Sequence, residues 1–224
     1  MSIAENLTQI KSQLPSHVTL VAVSKTKPVA DLMEAYNEGQ RIFGENKIQE
    51  MTEKWEQMPK DIEWHMIGHV QTNKVKYMAK YVSLIHGVDS LKLLQEINKQ
   101  AKKHNRVIDC LLQIHIAEEE TKFGLDELEL NEILKQVQHD KNEFENIRIV
   151  GLMGMATFTE NTTQIEKEFN HLKAIFDKVA ASKDAINRVS ILSMGMSGDY
   201  QLAISCGSTM VRIGSSIFGT RNYQ

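Results

Sequence analysis

The feature that most constrains this chain is an alternation. Short apolar or β-branched runs fall at 18–24 (VTLVAVS), 41–44 (RIFG), 63–68 (EWHMIG), 82–88 (VSLIHGV), 109–117 (DCLLQIHIA), 147–155 (IRIVGLMGM), 189–196 (VSILSMGM) and 209–214 (TMVRIG). The stretches between most of them carry a helical period. Val29, Leu32, Met33 and Tyr36 share one face of 29–38, Leu91, Leu94 and Ile97 one face of 91–101, and Ile165, Phe169, Leu172, Ile175, Phe176 and Val179 one face of 162–181. Asp89-Ser90 and Thr159-Glu160-Asn161 supply N-cap residues for two of these helices. Strands alternating with helices imply a parallel sheet. Several runs are apolar throughout, as expected where both sheet faces are covered. Eight such units in 224 residues point to a closed (β/α)8 TIM barrel, with an open doubly wound sheet as the alternative. No linker or low-complexity stretch interrupts 1–224, so the expectation is a single domain, with residues 1–13 forming an extra helix ahead of the first strand.

Composition removes whole classes of function. The chain carries 26 basic and 29 acidic residues, a net charge of −3. It therefore lacks the basic field on which nucleic-acid binders rely. It has no run of 18 apolar residues, its mean hydropathy is −0.33, and MSIAENLTQIKSQLP has no apolar core of a signal peptide. The expectation is a cytoplasmic protein that meets no membrane. Cys110 and Cys206 then read as reduced, buried thiols, since no CxxC or metal-ligand spacing occurs. His65 and His69 are four apart but straddle a strand end and a glycine, so they share no helical face and give no metal site.

A barrel of this kind puts its chemistry at the C-terminal ends of its strands. The first strand ends in Ser24-Lys25-Thr26-Lys27-Pro28. A lysine entering the barrel mouth is partly desolvated, which favours the neutral, nucleophilic amine required for a Schiff base. A solvated lysine at a strand end is the plain alternative. Lys27 lies already in the turn and reads as a nearby positive charge or a surface residue. The second strand ends in Gly44-Glu45-Asn46, where Asn46 offers a donor and an acceptor or simply caps the next helix.

The last two strands lead into Gly/Ser turns and short helices, through Ser193-Met194-Gly195-Met196-Ser197-Gly198 and Gly214-Ser215-Ser216. Exposed backbone N–H groups and hydroxyls in such turns make an anion cradle, and barrels often hold phosphate after strands 7 and 8. Two capped tight turns are the bland reading. A Schiff-base lysine opposite a phosphate cradle suits a phosphorylated aldehyde, for which pyridoxal 5′-phosphate (PLP) and a sugar phosphate both qualify. Arg212 bears on the choice. A guanidinium cannot accept a proton, so one facing a pyridine nitrogen keeps that nitrogen unprotonated. Arg212 bound to phosphate or to an internal carboxylate stays open.

VAVSKTKP at 21–28, FGEN at 43–46 with Gln49-Glu50, WHMIGHVQTNK at 64–74, GLMGM at 151–155, LSMGMSGD at 192–199 and GSTMVRIGSSIFGTR at 207–221 closely resemble the pyridoxal phosphate homeostasis protein family, also described as alanine-racemase N-terminal-domain-like. The resemblance covers essentially the whole chain, in order. It implies a PLP-holding (β/α)8 barrel in which Lys25 matches the Schiff-base lysine, Asn46 an asparagine near the cofactor, and Arg212 the arginine at the pyridine nitrogen. Ser193, Ser197, Gly214 and Ser215 match the phosphate-binding segments.

Related racemases carry a second, β-rich domain that supplies the opposing base, and two-base racemisation needs groups on both faces of the substrate carbon. The sequence ends at Gln224 without room for that domain. The resemblance therefore implies a PLP-binding protein of cofactor supply, with no established reaction of its own, and a monomer. It would buffer PLP and deliver it to apo PLP-dependent enzymes, with Lys27 assisting release. An amino-acid racemase or decarboxylase and a sugar-phosphate aldolase are the enzymatic alternatives.

Overall fold

The computed structural model describes residues 2–119, 123–181 and 189–220. Arg221, the last residue of the quoted GSTMVRIGSSIFGTR motif, lies outside them, as does the rest of the C-terminal tail. Eight parallel strands close into a barrel in chain order: β1 (Thr19–Val23), β2 (Ile42–Glu45), β3 (Glu63–Met66), β4 (Leu84–Val88), β5 (Ile108–Gln113), β6 (Ile147–Met153), β7 (Ile191–Ser193) and β8 (Met210–Ile213). Closure comes from β1 pairing with β8, Thr19 beside Met210 through Ala22 beside Ile213. That pairing rules out the open doubly wound sheet. Each expected run overlaps one strand, with β2 running on to Glu45 and β5 starting a residue early at Ile108.

Helices cover the outside: α1 (Ile3–Gln13), α2 (Val29–Asn37), α3 (Ile48–Gln57), α4 (Val75–Met78), α5 (Leu91–Lys103), α6 (Glu127–His139), α7 (Thr162–Ala181), α8 (Tyr200–Ser205) and α9 (Ser215–Phe218). The extra first helix starts in a capping box, with Ser2 and Glu5 each satisfying the other's backbone N–H. Ser90 caps α5 by accepting from Leu93 N–H, and Asn161 Oδ1 accepts from Gln164 N–H at the start of α7. Among the described residues, no helix is long and apolar enough to cross a membrane. Cys110 and Cys206 are free thiols, both buried.

The expected seventh strand, 189–196, shrinks to three residues. Gly195 has φ +95°, a left-handed conformation that ends the extended run. A Cβ there would lie 2.6 Å from Ala203 Cβ and 2.9 Å from Tyr200 Cα, so the turn also needs the missing side chain.

The two faces of the strands part the core into two clusters. Leu20, Ala22, Phe43, Trp64, Met66, Ile85, Cys110, Leu112, Leu192, Val211 and Ile213 pack outward under the helices. Val21, Leu84, Leu111, Met153 and Met210 fill the barrel interior, with Ile42 and Ile191 against them. Side chains alternate along a strand, so the next inward residue lies two positions on. Following that period, Leu84 gives way to His86, Leu111 to Gln113, Ile191 to Ser193 and Met210 to Arg212. The barrel floor is apolar and the layer above it is polar. Each of these four polar residues is buried.

Candidate functional site

The polar layer opens toward the strand C-termini and is built around one cation. Arg212, on β8, is 3% exposed. Its Nη1 donates to Ser193 O at 2.9 Å and to Ser193 Oγ at 2.7 Å, and its Nη2 donates to Gly154 O at 3.2 Å. Those bonds use three of five N–H groups. The Nε–H and one Nη2–H take no partner among the described residues. Burial lowers the guanidinium to about 10, which leaves it charged at neutral pH, and Asp199 opposes that shift.

Behind Ser193 stand two histidines. Ser193 Oγ lies 3.1 Å from His86 Nδ1, and His86 Nε2 lies 3.1 Å from His65 Nδ1. Both rings are buried, with centroids 5.1 Å apart. Desolvation lowers His65 to about 3. His86 is held well below the usual histidine range by burial, and further by His65 and Arg212. Both imidazoles are therefore neutral at physiological pH. His65 points into the barrel, while His69 stacks on Phe123 at 4.1 Å and lies 3.1 Å from Asp89.

Lys25 sits in the turn after β1, part-buried. The turn closes by Lys27 N–H donating to Ser24 O, and Thr26 takes φ +65°, unusual for a β-branched residue. Helix α3 holds that strained turn. Lys54 donates to Ser24 O at 2.8 Å, and Glu50 Oε1 accepts Thr26 N–H at 2.6 Å. Lys54 also reaches Glu45 Oε1 at 2.7 Å, and Ser24 Oγ donates to the same oxygen at 2.6 Å. Glu45 is fully buried, and its second oxygen, Oε2, has no hydrogen-bond partner among the described residues. Desolvation pushes Glu45 up to about 7 against the pull of Lys54.

Asn46 follows β2 as Lys25 follows β1. Val23 pairs with Gly44, so both residues lie two places beyond paired positions. The carboxamide of Asn46 makes no hydrogen bond among the described residues. Its backbone is fixed by Gly68, where a Cβ would lie 2.5 Å from Asn46 O.

The two Gly/Ser turns meet. Gly214 N–H donates to Ser197 Oγ at 3.2 Å. Gly214 also abuts the end of β1, where its Cβ would come 3.0 Å from Val23 O. The N–H groups of Ser215 and Ser216 take no partner among the described residues, and both side chains are exposed. Lys27 ties this corner together from the other end, donating to Phe218 O at 2.7 Å and Thr220 O at 3.2 Å.

The structure thus brings Ser193 to Arg212, and Ser197 to Gly214 with Ser215 beside it. Lys25 and Asn46 stand at adjacent strand ends. Sequence reasoning missed His65, His86 and the Glu45–Lys54–Glu50 cluster. For His86 the available signal was a polar residue falling two places beyond an inward apolar one, Leu84.

Comparison with known proteins gives a consistent result. The model of the alanine racemase N-terminal domain matches residues 1–222. The pyridoxal phosphate homeostasis protein of Pasteurella multocida is 37% identical over 237 residues, covering 100% of this chain and 99% of that protein. The protein of the same name from Aquifex aeolicus is 39% identical over 205 residues, covering 91% and 87%. PipY of Synechococcus elongatus, in a structure with PLP bound, superposes with a TM-score of 0.88 at 33% identity over 97% of this chain and 100% of that one. On a matching domain model and full-length relatives, the chain belongs to the pyridoxal phosphate homeostasis protein family, built on the alanine racemase N-terminal domain.

Proposed function

We propose that this protein binds PLP at the barrel mouth, on Lys25, and serves intracellular PLP homeostasis as a single-domain, cytoplasmic carrier rather than as an enzyme. Support comes from the family, from PipY with PLP bound, and from a donor set that fits the cofactor's three recognisable ends. When bound, PLP supplies an aldehyde that condenses reversibly with a primary amine, losing water. Everything else is the work of this chain's own side chains.

Lys25 offers the amine, on a turn gripped from both sides by Glu50 and Lys54. Ser197 and Ser215 offer hydroxyls and the turn at Ser215-Ser216 offers N–H groups suited to a phosphate, with Gly214 N–H orienting the Ser197 hydroxyl. Asn46 offers a carboxamide without a hydrogen-bond partner among the described residues. Arg212 offers the two N–H groups that its bonds to Ser193 and Gly154 leave over. The single observation that carries the reading is this buried guanidinium, locked in place with donors to spare. It can donate to a ring nitrogen but cannot protonate it fully, because it holds its own proton to about pH 10. An unprotonated ring is a weak electron sink. That suits storage and release of the cofactor better than carbanion chemistry at a substrate carbon.

The test has two arms. PLP-loaded protein mixed with an apo PLP-dependent enzyme is expected to restore that enzyme's activity. Across a panel of amino acids, Cα–deuterium exchange is expected to stay at the rate of free PLP. Exchange well above that rate with any one amino acid would replace the carrier by a racemase-like enzyme.

A further inference from the structure

The polar layer holds more order than cofactor contact requires. Arg212 only donates, so Ser193 Oγ accepts from it. Ser193 is fully buried, and among the described residues its hydroxyl has one other neighbour, His86 Nδ1 at 3.1 Å. Its own proton therefore goes to His86 Nδ1; any other arrangement strands a buried O–H. A neutral His86 that accepts at Nδ1 carries its proton on Nε2. That proton points at His65 Nδ1, 3.1 Å away, and by the same rule His65 carries its proton on Nε2. The direction of every bond follows from one residue that cannot accept.

We infer that Ser193 and His86, backed by His65, are positioning residues for Arg212. Their one-way hydrogen-bond chain settles which guanidinium N–H groups are spent on the barrel wall and which are presented to a ring nitrogen. The inference rests on the reading above, in which Arg212 meets the pyridine nitrogen of PLP. An arginine has a long, rotamer-rich side chain, and ordering it during binding weakens affinity. The chain orders it beforehand. It crosses the interior from β8 through β7 and β4 to β3, joining four strands whose inward residues are otherwise unrelated. In this role Ser193 acts at the ring end of the cofactor, and the phosphate end is left to Ser197, Gly214 and Ser215.

The test compares PLP with 1-deaza-PLP, which keeps the aldehyde and phosphate and replaces the ring nitrogen by CH. Ser193→Ala is the main variant because it removes only one oxygen. His86→Phe is the second, and urea unfolding of each apo-protein confirms that it folds. The wild type is expected to bind PLP about tenfold more tightly than the deaza compound, the scale of one hydrogen bond to a charged donor. Both variants are expected to lose most of that ratio through weaker PLP binding, with deaza-PLP affinity changed less than about twofold. Equal losses for the two ligands, or none, would overturn the positioning role. A wild type that binds both ligands alike would instead overturn the Arg212 reading itself, and the inference with it.

A second measurement needs no cofactor. In 15N spectra of the histidine-labelled apo-protein, His65 and His86 are expected as neutral Nε2–H tautomers. A proton on Nδ1 of His86 would contradict the chain as drawn.

Discussion

Lys54 places its ammonium 2.8 Å from the carbonyl of Ser24, thirty residues earlier, and neutralises Glu45 in the same buried space. Its helical neighbour Glu50, one turn before it, takes the N–H of Thr26. Two side chains of α3 thus hold the backbone on either side of Lys25. A fold built for parallel strands leaves its strand ends as loops, and loops are mobile unless tied. This one is tied by charge.

Replacing Lys54 by Met leaves Glu45 buried without its cation. Breaking such a pair from one side costs about 3–5 kcal/mol, and replacing both partners is far milder. Lys54→Met is therefore expected to lower stability by about that amount in urea unfolding. Glu45→Gln/Lys54→Met together should recover more than half of the loss. A double variant no more stable than the single would show that the cluster acts through something other than the buried charge.

Lys27 was expected to be a nearby charge or to assist release. Its amine donates to Phe218 O, at the end of the helix that begins at Ser215, and to Thr220 O just beyond it. Lys27→Ala is expected to cost about 1 kcal/mol of stability, the net value of such bonds. It should weaken PLP binding, while a borohydride-trapped adduct still maps to Lys25. An adduct that moves off residue 25 in this variant would give Lys27 a chemical role.

Gly68→Ala sets a methyl group against backbone, 2.5 Å from Asn46 O and 2.9 Å from Asn46 Cα. Neither atom can swing away. The expected cost is about 1–3 kcal/mol, read in thermal or urea unfolding. Weaker PLP binding should accompany it, since Asn46 must shift. Full stability would mean that β2 and β3 separate more easily at their ends than their pairing suggests.

The buried histidines set a direction for pH. His65 is depressed to about 3 and His86 lies well below its usual value, so the unfolded chain takes up protons below about pH 6.5 that the folded chain refuses. Their contribution to stability is present above pH 6.5 and is lost as pH falls. Glu45, raised to about 7, works the other way. It keeps a proton in the folded state between about pH 4.5 and 7, so its contribution is lost as pH rises through that window. Two refused protons outweigh one retained, and these groups together favour the neutral side. In urea unfolding across pH 4.5–6.5, His65→Phe should flatten the acid loss by about 1.4 kcal/mol per pH unit. Glu45→Gln should steepen it. An unchanged slope in His65→Phe would mean that this imidazole protonates in the folded protein.

The barrel was legible because its period is local. Each of the eight apolar runs covers its strand to within one residue at either end, and Val29, Leu91 and Thr162 each begin a helix where the periodicity placed one. Lys25, Asn46 and Arg212 were legible for a related reason: they stand at strand ends, where the fold concentrates chemistry. The Glu45–Lys54 pair was not legible. Lys54 looks like one more lysine on an amphipathic helix, and only the packing of α3 on β2 turns it inward. His65 and His86 were visible as histidines in apolar strands. Their partnership needs the closed barrel, which sets β3, β4, β7 and β8 around one interior. The early end of β7 needed the turn at Gly195, whose positive φ comes from packing against α8.

The central claim is that Lys25 holds PLP. The direct measurement is the absorption spectrum of the purified protein with PLP, before and after borohydride, followed by peptide mapping and repeated with Lys25→Ala. A visible band that borohydride abolishes and a reduced adduct on Lys25 are expected, and neither in the variant. A band that survives in Lys25→Ala with the adduct on another lysine, or no band with excess PLP, would contradict it.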